Sequence, residues 1–225
     1  MKTSSLFVTC VLALTFHFGA AQKQSSGDHS LELQVAPLGS EPVKISGIRF
    51  RHFKDDKTAL RLTAFLGGSR LKTITQEAEG DDLELQSLSS NRSLTLRPGY
   101  EKHFSGNDKL SPYIGAEALL QVDWTKISTE SQWFTESQIA TTVSSTRNST
   151  LGLNAVAGMD YYFGEQLFFG LEMGFGFSKE MRGISKTSYD NPESSMENTD
   201  SKGNTTSFNW GPTYQGTFRL GWLFN

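Results

Sequence analysis

Hydrophobic and polar residues alternate one by one along most of the chain from about residue 29 onward. This period of two is typical of β-strands that have one apolar face. We predict eight strands, at 30–38, 45–53, 58–71, 93–104, 111–126, 149–163, 166–181 and 207–224. After a first loop at 39–44, the short connections are 54–57, 105–110 and 164–165, and the long ones are 72–92, 127–148 and 182–206. Alternation of short and long connections is the arrangement expected of an outer-membrane barrel.

The two faces of the later strands differ sharply. One face of the seventh predicted strand consists of Leu167, Phe169, Leu171, Met173, Phe175 and Phe177. The opposite face consists of Phe168, Gly170, Glu172, Gly174 and Gly176. Small residues with isolated charges suit the crowded interior of a narrow barrel, so the hydrophobic face points outward to lipid. The fold class is therefore all-β: an eight-stranded antiparallel up-and-down transmembrane β-barrel with short periplasmic turns and long extracellular loops.

Aromatic residues gather near the predicted periplasmic strand ends, where an aromatic girdle is expected. They are Tyr100, Phe104, Tyr161, Phe163, Phe169, Trp222 and Phe224.

The same alternation, extended to the other predicted strands, places charged side chains in the lumen. These are Glu32, Arg49, Arg51, Arg61, Arg97, Glu101, Glu117, Asp123, Asp160, Glu172 and Arg219. Five arginines thus face six carboxylates, and buried charges are costly unless they are paired. Because eight strands leave an interior only just wide enough for side chains, we expect a closed lumen filled with ion pairs.

Composition narrows the possible classes of protein. The 225 residues include 24 acidic and 21 basic side chains, and the mean hydropathy is −0.38. After residue 21 no apolar run approaches the roughly 18 to 20 residues of a spanning helix, which excludes a helical membrane protein. The near balance of charge argues against a nucleic-acid partner.

The first 21 residues predict a secretory signal peptide. Lys2 is followed by an apolar stretch from Leu6 to Phe18 and by small residues up to Ala21. We expect residues 1–21 to be removed and residues 22–225 to form one barrel domain in the cell outer membrane. The single cysteine, Cys10, lies in the signal peptide, so the mature chain has no disulfide, cysteine nucleophile or thiolate metal site.

Two segments resemble known sequences. The run ISGIRFRHFKDDKTALRL, residues 45–62, resembles the early hairpin of the small outer membrane protein beta-barrel (porin-like) family of Bacteroidota. The matching elements are Gly47, Phe53, the turn at 55–57 and the strand at 59–62. This resemblance implies an eight-stranded outer-membrane barrel of mostly unassigned function.

The C-terminal FRLGWLFN, residues 218–225, looks like the terminal strand signal read by the barrel-assembly machinery, except that Asn225 follows the last aromatic residue. Expected partners are therefore this machinery during insertion, together with outer-membrane lipid and lipopolysaccharide.

Candidate catalytic and metal-binding residues are few. His29, His52 and His103 all fall at the periplasmic side of the predicted barrel, as interfacial or turn residues. An enzyme acting at the cell surface would need a general base at the opposite end, so we predict no enzymatic activity.

The long loop at 72–92 is rich in carboxylates: Glu77, Glu79, Asp81, Asp82 and Glu84. These could hold a divalent cation, but the spacing is not that of a calcium loop, so we expect a solvated acidic loop, no metal and no cofactor.

Two functions remain open from the sequence. The first is a structural or surface-interaction protein whose long loops meet a partner. The alternative is a narrow porin-like channel for small solutes. A soluble barrel of the lipocalin type is a third and weaker option, since it would turn the hydrophobic face inward.

Overall fold

The computed structural model describes residues 23–36, 44–76, 83–133, 138–190, 198–202 and 205–225. The predicted signal peptide, most of the first loop and four of the five acidic loop residues lie outside these ranges. In the described part of the chain, no helix is long and apolar enough to cross a membrane.

The described strands form a single antiparallel sheet. They are β1 (His29–Ala36), β2 (Lys44–Asp55), β3 (Thr58–Gln76), β4 (Leu83–His103), β5 (Leu110–Trp133), β6 (Gln138–Tyr162), β7 (Leu167–Asp190), β8 (Thr199–Lys202) and β9 (Thr206–Phe224). Each of the eight long strands pairs with two neighbours, and β9 closes the sheet by pairing with β1. The result is a closed ring in the order β1, β2, β3, β4, β5, β6, β7, β9, while the short β8 pairs with β7. The all-β antiparallel class is confirmed.

The two ends of the ring differ. At the short-turn end, β2 joins β3, β4 joins β5 and β6 joins β7 through residues 56–57, 104–109 and 163–166. At the hairpin end, β3–β4, β5–β6 and β7–β9 extend well beyond the predicted strand limits.

The predicted limits of the long loops are wrong, because the strands continue into them. The ranges 72–92, 127–148 and 182–206 are mostly strand, because β3 continues to Gln76, β5 to Trp133 and β7 to Asp190. These hairpin extensions are rich in Ser and Thr, and Thr favours strands. Since both faces of the extensions are largely polar, they lack the alternation that reveals a strand in the sequence.

Asp55 closes the turn between β2 and β3. Its carboxylate accepts hydrogen bonds from the Thr58 hydroxyl at 2.5 Å and from the Lys57 backbone N–H at 2.8 Å. These two hydrogen bonds stabilise the charged form and lower the pKa of Asp55. The tight Asp/Lys turn expected from the sequence is thus held by its own side chains.

Gly47 lies beside a bulge in the β1–β2 pairing, where the register shifts between Gln34 and Val35. Its φ is +157°, and a Cβ atom there would lie 3.0 Å from the Thr63 side chain and 3.1 Å from the Ala64 carbonyl oxygen. A larger residue would therefore be both strained and crowded.

The outer wall of the ring is hydrophobic and its interior is polar. Leu153 is 67% exposed and Met173 is 68% exposed, whereas Arg49 and Arg219 are fully buried. All seven aromatic residues predicted for a girdle are exposed and lie near the short-turn end. This arrangement inverts that of a water-soluble sheet protein.

Candidate functional site

Contacts across the ring identify the inward faces of the strands. Arg49 on β2 donates through Nη1 and Nη2 to the carboxylate of Glu172 on β7, at 2.8 and 2.7 Å. Arg61 on β3 reaches the same carboxylate at 2.9 Å from each terminal nitrogen. Since β3 and β7 lie opposite each other in the ring, these side chains must cross the interior.

Arg61 joins three further strands at one point. Its Nη1 lies 2.7 Å from Glu101 Oε1 and its Nη2 lies 2.8 Å from Glu117 Oε2, in addition to the Glu172 contacts. One guanidinium therefore bridges carboxylates from β4, β5 and β7. Such charge-assisted, forked geometry is the kind that arginine provides best.

A second group of contacts surrounds Arg219 and Arg51. Arg219 donates to Glu32 at 2.7 Å and to Asp160 at 2.6 Å. Arg51 Nη1 donates to Asp160 at 2.7 Å and to Glu101 at 3.1 Å, while Arg51 Nε contacts Glu32. Glu101 thereby links this group to Arg61.

Nine of the eleven predicted lumen residues are brought together and are at most 3% exposed. This ion cluster consists of Glu32, Arg49, Arg51, Arg61, Glu101, Glu117, Asp160, Glu172 and Arg219. It contains four guanidinium groups and five carboxylates.

The other two predicted residues lie nearer the hairpin end. Asp123 is half-buried, and its carboxylate accepts hydrogen bonds from Gln121 Nε2 at 3.1 and 2.9 Å. Arg97 is also half-buried and lines a cavity of about 260 Å³ together with Leu119, Asn154 and Asn209. The interior is thus less tightly filled on that side of the ion cluster.

Neutral polar residues complete the cluster, and sequence reasoning did not single them out. The Tyr113 hydroxyl donates to Glu172, Asn154 Nδ2 donates to Glu117 at 3.1 Å, and Arg49 Nε donates to Thr63 at 3.0 Å. Tyr113, Asn154 and Thr63 all lie at inward-facing positions of their strands. The alternation of hydrophobic and polar residues in the sequence could therefore have identified them. Their exact partners depend on register across the ring.

His103 differs from its expected role as a turn or interfacial residue. It is the last residue of β4, yet its side chain is only 2% exposed. Its Nδ1 lies 2.9 Å from Ser111 Oγ, and its Nε2 lies 3.3 Å from Glu101 Oε2. Serine, histidine and glutamate are also the elements of a hydrolytic triad, and here all three are buried in the packed interior.

The His29 and His52 rings are in tilted contact with their centroids 4.7 Å apart, and His29 stacks on Phe224. Among the residues that the structure describes, no group of three His, Cys, Asp or Glu side chains is arranged to hold a metal ion.

An apolar layer lies between the ion cluster and the short-turn end. It consists of Phe53, Ala59, Tyr162, Phe168 and Leu223, all at most 4% exposed. The guanidinium carbon of Arg51 is 5.1 Å from the ring centroids of both Phe53 and Phe168. Cation–π contact therefore couples the charged layer to the apolar one.

Residues 23–28 cover the same end of the ring. Gly27 N donates to the Phe53 carbonyl and Phe53 N donates to the Asp28 carbonyl, both at 2.9 Å. The buried Gln24 side chain donates to Ser111 Oγ at 2.9 Å. This segment adds a third layer to the closure of the interior.

Gly170 illustrates how full the interior is. A Cβ atom at this position would lie 2.5 Å from Arg219 Nη2 and 2.8 Å from Asp160 Oδ1. Even one methyl group would therefore displace an ion pair, so the ion cluster occupies the available space.

Comparison with known proteins gives one family. A family model described as "Putative OmpA-OmpF-like porin family" matches residues 84–220, from the start of β4 into β9. No curated protein matches the chain.

Proposed function

The chain belongs to the OmpA-OmpF-like porin family, and we propose that it is an outer-membrane β-barrel protein with a closed, ion-paired lumen and a structural and surface-interaction role. The closed strand ring and its hydrophobic outer wall support membrane insertion. The observation that carries the closed-lumen proposal is the ion cluster, whose nine charged residues are buried and joined across the ring.

Export and assembly are part of the same proposal. Residues 1–21 act as a signal peptide, the mature chain begins at Gln22, and the final strand is read by the barrel-assembly machinery. The Bacteroidota origin implied by the early hairpin stays a prediction. We also propose a non-enzymatic role, because His103, Ser111 and Glu101 are buried in the packed interior.

A planar bilayer experiment tests the closed lumen. The wild-type protein should insert and give no steady single-channel conductance, since the ion cluster, the apolar layer and residues 23–28 lie in series. A variant with Phe53→Ala and Phe168→Ala removes two rings of the apolar layer but leaves the ion cluster in place, so it should also give no steady conductance if the ion cluster closes the lumen. Reproducible single-channel conductance steps from the wild-type protein would show that the closed-lumen proposal is wrong.

The channel alternative is favoured by one observation, the word porin in the family description. A narrow channel for small solutes would require the ion cluster to rearrange. The same bilayer measurement decides between the two functions.

Surface interaction is assigned to the three hairpin extensions, because they project beyond the hydrophobic wall. Two can be removed without changing register: Arg70 pairs with Ser90, and Ser128 pairs with Val143. Replacing residues 71–89 and 129–142 by Asn-Gly turns should leave a folded, heat-resistant barrel.

Cells that display this shortened protein should lose adhesion to an extracellular-matrix surface relative to cells that display equal amounts of wild type. Undiminished adhesion by the shortened protein would show that these two extensions do not make the contact, and would leave only the β7–β9 extension or the ring itself.

A further inference from the structure

A groove of about 520 Å³ lies on the outer wall of the ring, across β4 to β7. Most of its side chains, including all the charged ones, point outward from their strands, away from the side that faces the ion cluster. The residues used below are Arg92, Trp124, Lys126, Arg147 and Lys186. We call them the basic groove.

Arg92, Trp124 and Arg147 are direct neighbours on three adjacent strands. Arg92 pairs in register with Trp124, and Trp124 pairs with Arg147. The guanidinium carbon of Arg147 lies 5.9 Å from the Trp124 ring centroid. Two arginines therefore flank one indole ring, which gives the groove a rigid apolar floor between two cations.

A second row of cations lies one step toward the hairpin end. Lys126 pairs with both Ser90 and Ser145, and Ser145 pairs with Lys186. The small serines leave space between the long basic side chains. Two rows thus hold four cations around the groove.

Among the residues that the structure describes, few acidic side chains lie near these rows; Asp190 on β7 lies four residues beyond Lys186. Lys186 Nζ lies 3.6 Å from Asp200 of β8, and both side chains are exposed. On β5, Glu130 lies four residues beyond Lys126, which is about 14 Å along a strand. The groove is therefore locally basic on a chain whose formal net charge is −3.

The groove lies at a defined height, at the hairpin-side edge of the hydrophobic wall. On β5, outward hydrophobic residues run from Ile114 to Trp124. Ten residues span about 34 Å along a strand, or about 26 Å across a membrane at a tilt near 40°. This matches the roughly 25 Å apolar band of an outer-membrane barrel. Arg92 and Lys126 therefore lie at the depth of the lipid headgroups, at the hairpin end.

We propose that the basic groove binds the phosphate groups of a phosphorylated glycolipid of the lipid A type in the outer leaflet. This inference rests on the proposed membrane function. Arginine pairs bind phosphate oxygens in forked geometry, and long basic side chains place their charge at the headgroup level. Trp124 suits the same boundary between apolar chains and polar headgroups.

The test uses full-length mature protein folded in a neutral detergent and titrated with bisphosphorylated lipid A, with bound lipid counted by native mass spectrometry. The test variant has Arg92→Gln, Lys126→Gln and Arg147→Gln. The control variant has Lys54→Gln, Lys57→Gln and Lys102→Gln, three exposed lysines at the short-turn end. Both variants lose the same formal charge.

The groove variant should bind bisphosphorylated lipid A roughly 100-fold more weakly, because each cation near an anionic membrane surface contributes roughly a factor of five. The control variant should stay within about threefold of wild type. Dephosphorylated lipid A should bind wild type as weakly as the phosphorylated lipid binds the groove variant.

Several results would overturn the proposal. One is a loss of affinity in the control variant as large as that in the groove variant. Another is binding of dephosphorylated lipid A or phosphatidylglycerol to wild type as tight as that of bisphosphorylated lipid A. The last is displacement of the lipid by inorganic phosphate, which would indicate a site for free anions. Insertion of wild type into phosphatidylcholine vesicles is measured in parallel. A protein that inserts but shows no lipid A preference refutes the groove alone, whereas failure to insert refutes the membrane function and the groove with it.

Discussion

Arg61→Met should lower the free energy of unfolding by about 3–5 kcal/mol, the usual cost of removing one partner from a buried charge pair. Arg61 lies within 2.9 Å of three carboxylates, those of Glu101, Glu117 and Glu172. Methionine fills a similar apolar volume but leaves these buried negative charges with fewer partners. Urea unfolding in lipid vesicles, followed by tryptophan fluorescence, measures the difference.

Arg70→Met is the matched control, because Arg70 lies on the same strand and is exposed. We expect a change within about 0.5 kcal/mol for this variant, as is usual for surface substitutions. If Arg61→Met is as mild as Arg70→Met, the ion cluster does not stabilise the ring.

Leu171→Arg should be clearly destabilising, by up to about 2–4 kcal/mol, because Leu171 lies on the lipid face inside the aromatic girdle and the penalty for arginine grows from the interface towards the middle of the membrane. Leu171 is 37% exposed on the outer wall and pairs with Met159 and Phe218, which are also exposed and hydrophobic. In a water-soluble protein the same change would cost little, since the new charge would be hydrated. The sign and size of the effect in lipid vesicles therefore test membrane insertion.

Ile184→Arg provides the comparison. Ile184 lies on β7 as well and is 49% exposed, but it belongs to the hairpin extension. Its replacement should cost about 0–1 kcal/mol, as near the membrane interface. Equal costs at the two positions would contradict a lipid belt that ends before Ile184.

The faces of the strands were predictable because a β-strand places successive side chains on opposite sides, and this period is local. Glu172 and Leu171 are adjacent in the chain, yet one is buried and the other is exposed on the outer wall. The alternation of hydrophobic and polar residues was therefore enough to place most charged residues inside and most large hydrophobic residues outside. It was also enough to indicate an antiparallel all-β fold.

The lengths of the hairpins were not predictable in the same way. Beyond the hydrophobic wall, pairs such as Ser87 with Thr129 are polar on both faces, so no periodic signal marks them as strand. Backbone hydrogen bonds between neighbouring strands hold these extensions, and such bonds are nearly independent of side-chain type. Only the completed pairing shows where β3 to β7 end.

The partners within the ion cluster were decided by tertiary structure alone. Arg61 and Glu172 are separated by 111 residues, and they meet only because closure of the ring and the register of each pair bring β3 opposite β7 at the same height. The same registers bring His103 within reach of Ser111 and leave Asp123 nearer the hairpin end. Alternation along one strand determines the direction of a side chain, whereas its height relative to other strands depends on every register around the ring.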